Sequence, residues 1–124
     1  MDISIKRVYQ PESPSDGFRV LVDRLWPRGI RKADLDLGLW LPEVAPSAQL
    51  RRWYGHKPER FEAFTERYRA ELADSSAYAQ LRHVVTEHAH VTLLTATTDA
   101  EHSQAAVLKE VLVASAASAG RHTT

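Results

Sequence analysis

Two runs in this chain are apolar almost without interruption: Val20, Leu21 and Val22 inside Phe18–Leu25, and Val91–Ala96. Residues in such a run cannot alternate between a core face and a wet face. Each therefore reads as a strand buried on both sides, which is the habit of central strands in a parallel sheet. The stretch between the runs and the stretch after them carry helical spacing. Strands separated by helices predict an α/β fold: a single small domain with a short, mostly parallel sheet flanked by helices. At 124 residues the chain is long enough for one domain and its own core.

The remaining elements follow from local signals. Ile3, Ile5 and Val8 alternate with polar residues and predict a first strand over Asp2–Tyr9. Gln10–Gly17, with two Pro, two Ser and Asp16 before Gly17, reads as a loop. That loop is short for a parallel crossover, so strands one and two are expected to pair antiparallel or not to be neighbours. Trp26–Leu39 holds Pro27 and two Gly with no clean period and reads as an extended loop. A helical turn is expected over Leu39–Val44, before Pro46. Ser47 caps a short helix ending at Gly55, and Pro58 suits the first turn of the next. Phe61, Phe64, Tyr68 and Leu72 form that helix's apolar stripe, with Arg67 and Glu71 as an exposed pair. Ser75 or Ser76 starts a third helix that faces the core with Tyr78, Leu81 and Val85. Thr98 followed by Glu101 resembles a capping box for a last helix through Ala105, Leu108, Val111 and Leu112. The domain is expected over residues 1–113, with an Ala- and Ser-rich tail, 114–124, that frays.

Composition narrows the function classes. Sixteen basic residues balance sixteen acidic ones, whereas dedicated nucleic-acid binders usually carry a strong basic excess. A nucleic-acid partner is therefore disfavoured without being excluded. Cysteine is absent, which removes disulfides, thiolate metal sites and a cysteine nucleophile. The six His include His83, His88, His90 and His102, which show no recognised ligand spacing, so neither a metal nor a cofactor is expected. With no run of about 18 apolar residues and no leader-like start, the expected location is cytoplasmic and off the membrane.

Chemistry concentrates in three places. The first follows the Val20–Val22 strand: Asp23, Arg24, Trp26, Pro27, Arg28, Gly29, Arg31 and Lys32. In open α/β sheets ligands sit beyond the carboxyl ends of strands, and Arg24 and Arg28 can offer bidentate donors to phosphate or carboxylate. The plainer reading is an Asp23–Arg ion pair that pins the loop, with Trp26 in the core. The second is Arg51, Arg52, Trp53, Tyr54, His56 and Lys57, where His56 can titrate near neutral pH. The third is Thr95–His102, where Asp99 and His102 stand near a helix start that favours anions, unless Thr98 or Asp99 serves only as a cap. No G-x-S-x-G elbow occurs, so a Ser-His-Asp triad is unsupported.

The order of several motifs resembles one family. Lys6 to Tyr9, Asp16-Gly17, Arg19 to Gly29, Ala45-Pro46-Ser47 and Leu50 to His56 stand in sequence. Phe64, Tyr68, Glu71-Leu72, Val91 to Leu94 and Glu101-His102 continue it. The chain resembles the short, YeaO-like branch of the DUF488 family over roughly residues 3–112. The most specific piece is the heptapeptide Asp23-Arg24-Leu25-Trp26-Pro27-Arg28-Gly29. The resemblance implies a compact α/β domain of bacteria and archaea and brings no cofactor. This chain departs from the branch pattern at Thr95, where Tyr is usual, near Thr98, where Lys is usual, and at Ser103, where Asn is usual.

Two functions follow. One is a site for a small anionic ligand, built from Asp23, Arg24, Trp26, Arg28, Arg51, His56, Asp99 and His102, with the question of bond chemistry open. Arg24 and His102 would then lie at one end of the sheet. The other is a non-enzymatic interaction module for a protein or nucleic acid, with Trp26, Trp40, Trp53 and Tyr54 as an exposed aromatic patch. Ring burial discriminates between them.

Overall fold

In a computed structural model the chain forms one α/β domain; the structure describes residues 2–122, with side chains through residue 116. Four strands, β1 (Asp2–Arg7), β2 (Phe18–Leu21), β3 (Leu39–Trp40) and β4 (His90–Thr95), make one sheet in the order β1-β4-β2-β3. All its pairings are parallel. Four helices accompany it: α1 (Ala48–Tyr54), α2 (Phe61–Ala73), α3 (Ser76–Glu87) and α4 (Gln104–His122). Much of the frayed tail expected for 114–124 falls on 117–124, beyond the described side chains. Among the described residues no helix is long and apolar enough to cross a membrane.

The two apolar runs are the inner strands. Val20, Leu21, Val91, Leu93 and Leu94 are fully buried, and β4 lies between β1 and β2, bonded to both. The cover on the two faces differs in kind. Val20, Val22, Val91 and Leu93 point to the face where Leu50, Phe64, Tyr68, Leu81 and Leu108 pack, so every helix contributes to one core. Leu21 and Leu94 point the other way, into a smaller cluster with Val8, Trp26, Ile30, Leu37 and Trp40. That second face is covered by the long 22–38 segment, which holds only a 3-10 turn at Lys32–Asp34.

β1 and β2 are parallel and separated by β4. The expectation that the Gln10–Gly17 loop is too short for a parallel crossover is thus corrected, since the two strands run parallel, while of its two options the absence of a direct pairing holds. The ten residues 8–17 suffice because the connection holds only a 3-10 turn at Pro14–Asp16 in place of an α-helix. Polar contacts hold it down instead. The Asp16 carboxylate accepts from Lys6 Nζ at 2.9 Å and from Arg19. Arg19 also donates to the Asp36 carbonyl, and Thr92 Oγ1 donates to the Asp16 carbonyl. Gly17 follows at φ +65°, and a Cβ there would stand 2.3 Å from the His90 carbonyl oxygen, so the close approach admits only glycine.

Other boundaries shift for identifiable reasons. β1 ends at Arg7, although the Val8 amide still bonds the Thr95 carbonyl. β2 ends at Leu21, and Leu25 is largely exposed. The helical turn expected over Leu39–Val44 is present only as a 3-10 turn at Pro42–Val44, because Leu39 and Trp40 pair with Val20 and Leu21 as a short edge strand. Ser47 caps α1 by accepting from the Leu50 amide, and Gly55 ends it in the left-handed conformation. Ser75 caps α3. Arg67 and Glu71 do not pair with each other. Glu71 accepts from the Ser47 amide and hydroxyl at 2.9 and 2.7 Å, and Arg67 stacks on Trp53 at 4.0 Å.

Asp16 gives the fold a measurable pH signature. Burial pushes its carboxyl up, but hydrogen bonds from Lys6, the Ser13 amide and Arg19 outweigh this and hold it below the usual aspartate range. Its stabilisation is therefore present above the unfolded-state aspartate pKa and is lost as pH falls through the depressed folded value. Replacing Asp16 by Ala leaves Arg19 buried without its carboxylate and is expected to cost about 3–5 kcal/mol in urea unfolding at neutral pH. Asp16→Asn should flatten the acid limb of stability against pH; an unchanged slope would refute this role.

Candidate functional site

Because β1, β4 and β2 run the same way, the segments that leave them emerge at one edge of the sheet. The carboxyl edge of such a sheet is where a crevice forms. Here the segments after β1, β2 and β4 surround a cavity of about 500 Å³, closed on its remaining sides by the chain around Ala45 and Pro46 and by the end of α1. Asp23, Arg24, Trp26, Arg28, Arg51, His56 and His102 all line it. Seven of the eight candidate residues are thus brought together. The eighth, Asp99, lines an adjoining cavity of about 370 Å³ that shares Tyr54, His56, Thr97 and His102. Arg31, Lys32, Arg52, Trp53 and Lys57 line neither. Arg31 pairs with Asp34, and Lys32 lies over the rings of Trp26 and Trp40 at 5.8 and 5.9 Å.

Asp23 organises the site, and not through an arginine. Its carboxylate accepts from Thr95 Oγ1 at 2.8 Å, the Ala96 amide at 2.7 Å and Gln104 Nε2 at 2.6 Å. Its carbonyl accepts the Trp40 indole N–H at 2.9 Å. The Asp23–Arg pair expected to pin the loop is therefore replaced by neutral donors from β4 and α4. Burial pushes the Asp23 carboxyl up, and the donors from Ala96, Thr95 and Gln104 oppose it without cancelling it.

The three cations have different surroundings. Arg24 is half-buried; its Nη2 reaches the carbonyls of Ala45 and Pro46 at 3.3 and 3.4 Å, and its buried Nε has no partner. Arg28 and Arg51 are exposed. Among the described residues no carboxylate pairs with any of the three.

His102 and Asp99 form a dyad, with the carboxylate 2.9 Å from Nδ1. The Tyr54 hydroxyl donates to the His102 carbonyl at 2.9 Å, and Phe61 meets the His102 ring edge-on at 5.2 Å. The capping role expected for Thr98 or Asp99 is overturned. A 3-10 turn at Ala100–His102 intervenes, Asp99 makes no side-chain cap bond, and α4 starts only at Gln104. His56 follows Gly55 and is itself left-handed at φ 57°, a conformation uncommon for a residue with a Cβ. His88 and His90 lie at the other end of β4, stacked on Phe18 and bonded to Asp2 and Ser4. No group of three or more potential metal ligands occurs among the described residues.

The four rings of the expected aromatic patch are buried or half-buried. Tyr54 is buried, Trp53 packs against the main core, and Trp26 and Trp40 pack against the smaller one in an edge-on pair. The Trp26 indole donates to the Ile30 carbonyl. Sequence reasoning missed Gln104, Tyr9 and Phe64 as lining residues. Gln104 had a signal: it is the first residue of the helix after β4, at the same sheet edge as Asp23.

Residues 2–123 match the family model described as the inactive DUF488-N3 subclade. The chain belongs to the DUF488 family. It is 52% identical to an uncharacterized protein of Mycobacterium tuberculosis over 110 residues, covering 89% of this chain and 92% of that one. It is 40% identical to the uncharacterized protein YeaO of Escherichia coli (strain K12) over 112 residues, covering 90% and 97%. No solved structure matches the chain significantly. The departures from the YeaO-like pattern fall on the site: Thr95 and Ser103 line the larger cavity and Thr98 the smaller.

Asp23→Ala strands three donors and is expected to destabilise the domain by about 2–4 kcal/mol, read by urea unfolding. The wild-type carboxyl should titrate above ordinary aspartate in carbon-detected NMR. A raised carboxyl holds its proton in the folded state where the unfolded chain has released it, so its contribution to stability falls as pH rises through the folded value. An Asp23 titration at or below the ordinary aspartate range would overturn this.

Proposed function

We propose that the carboxyl-edge cavity binds a small organic anion bearing phosphate or carboxylate, and holds it without breaking a bond. One observation carries the reading: Arg24, Arg28 and Arg51 line a single cavity and none of them is paired with a carboxylate among the described residues. Unpaired guanidinium groups around a concave site favour an anion, and their planar forks suit phosphate and carboxylate. The unpartnered Nε of Arg24 supports it further, since a buried donor without an acceptor costs about 1–3 kcal/mol that a bound oxygen offsets.

Binding without turnover is supported by where the hydroxyl protons go. Thr95 donates to Asp23, Ser103 to the Ala100 carbonyl, Tyr54 to the His102 carbonyl and Tyr9 to the Arg28 carbonyl. Among the described residues no side-chain hydroxyl of the cavity wall donates to His56 or His102, so the pairing that activates an oxygen nucleophile has no support. The inactive subclade to which the family model assigns the chain agrees with this reading. A small ligand is favoured over a macromolecular partner because the aromatic residues that would supply a docking patch are packed against the two cores.

The test is thermal unfolding with phenyl phosphate, citrate and inorganic phosphate as probes. A probe at 100 times its dissociation constant should stabilise the protein by about 2.7 kcal/mol. Arg28→Ala and Arg51→Ala, both at exposed positions, should fold normally and each weaken the binding about tenfold. No shift with any anion, or a shift that survives the double variant, would sink the proposal.

A further inference from the structure

The anion-binding reading gives the Asp23 carboxylate no part in holding the ligand. Among the described residues Asp23 is the only carboxylate that lines the larger cavity. An ionised carboxylate has about four acceptor positions. The structure fills three: Thr95 and Gln104 on Oδ1, and the Ala96 amide on Oδ2. All three donors are neutral, and no cation forms an ion pair with Asp23 among the described residues. Arg24, next in sequence, directs its Nη2 to the carbonyls of Ala45 and Pro46 instead.

A partly buried carboxylate without a cation is unfavourable, because neutral donors replace only part of the water it has lost. A cavity that otherwise offers arginines gains nothing for a simple anion by placing a carboxylate in its wall. The arrangement makes sense for a ligand of two ends. We propose that the ligand is amphoteric, with an acidic group held by Arg28 and Arg51 and an ammonium group held at the open acceptor position of Asp23 Oδ2. The same wall carries apolar surface from Trp26, Pro27, Phe64 and Ala96, which suits a short carbon skeleton. An ammonium is favoured over a hydroxyl at Asp23 because it completes the hydrogen bonding and supplies the missing positive charge.

The inference rests on the anion reading, and the experiment separates the two. The full chain is titrated calorimetrically with alkyl monophosphates of two, four and six carbons that end in methyl, hydroxyl or ammonium. At the best chain length the ammonium-ended compound should bind about tenfold more tightly than the methyl-ended one, with the hydroxyl between them. In Asp23→Asn, which removes the charge, the ammonium-ended and methyl-ended phosphates should bind equally, whatever the variant does to the affinity they share. Should the Asn variant not fold, the wild-type series decides alone. Equal affinities for the three ends at every length would overturn the amphoteric ligand and leave the anion site standing. An ammonium advantage that persists in folded Asp23→Asn would do the same. Failure of every phosphate to bind would overturn both.

Discussion

Asp23 stands two residues beyond the buried end of β2, and its carboxylate is the joint on which the site depends. It accepts from the side chain of Thr95 and the amide of Ala96 at the end of β4, and from Gln104 at the start of α4. Its own carbonyl anchors Trp40 of β3. One residue thereby ties three strands and a helix at the edge where the cavity opens. The bonds are short, 2.6 to 2.8 Å, so the strand ends are held in a fixed relation where the loops 24–38 and 97–102 begin. Placing a charge there is costly, and burial registers as a raised Asp23 pKa.

The sheet is covered unequally, and this shapes what the protein can do. Four helices build a large core on one face. On the other, the 22–38 segment with Trp26, the edge-strand residue Trp40 and the Lys6–Asp16–Arg19 network do the covering. A loop layer brings backbone carbonyls and charged side chains close to the strands, where a helix would present an apolar stripe. It also lets the Asp23–Gly29 segment leave the sheet edge as an irregular wall instead of entering a helix at once. The cavity is the space between that wall and the end of α1.

The parts of the site legible beforehand were those that follow from strand direction. Once the runs at Val20–Val22 and Val91–Ala96 are read as parallel inner strands, Asp23–Arg28 and Asp99–His102 must leave the same edge. The candidate set came together on that ground, with Asp99 displaced to the adjoining cavity. Partner choice was less legible. Glu71 had two options, Arg67 one turn away and Ser47 some 24 residues off, and helical spacing sees only the first. The cap expected at Thr98 failed because a 3-10 turn absorbs Ala100–His102 before α4 begins. Local propensity does not register the bond between Asp23 and Gln104, which is the first residue of α4.

The α/β class, the burial of the two inner strands, the caps at Ser47 and Ser75, the turn at Gly55 and family membership were all determined by sequence alone. Each rests on short-range signals: apolar run length, a side-chain oxygen three residues before an amide, a glycine in the left-handed region, a contiguous motif. Tertiary structure alone decided that β4 lies between β1 and β2, that Leu39 and Trp40 form an edge strand, and that Asp23 answers neutral donors more than 70 residues away. These are choices among partners of similar local merit. They are settled by which pairing leaves the fewest buried polar groups unsatisfied once the whole sheet is assembled.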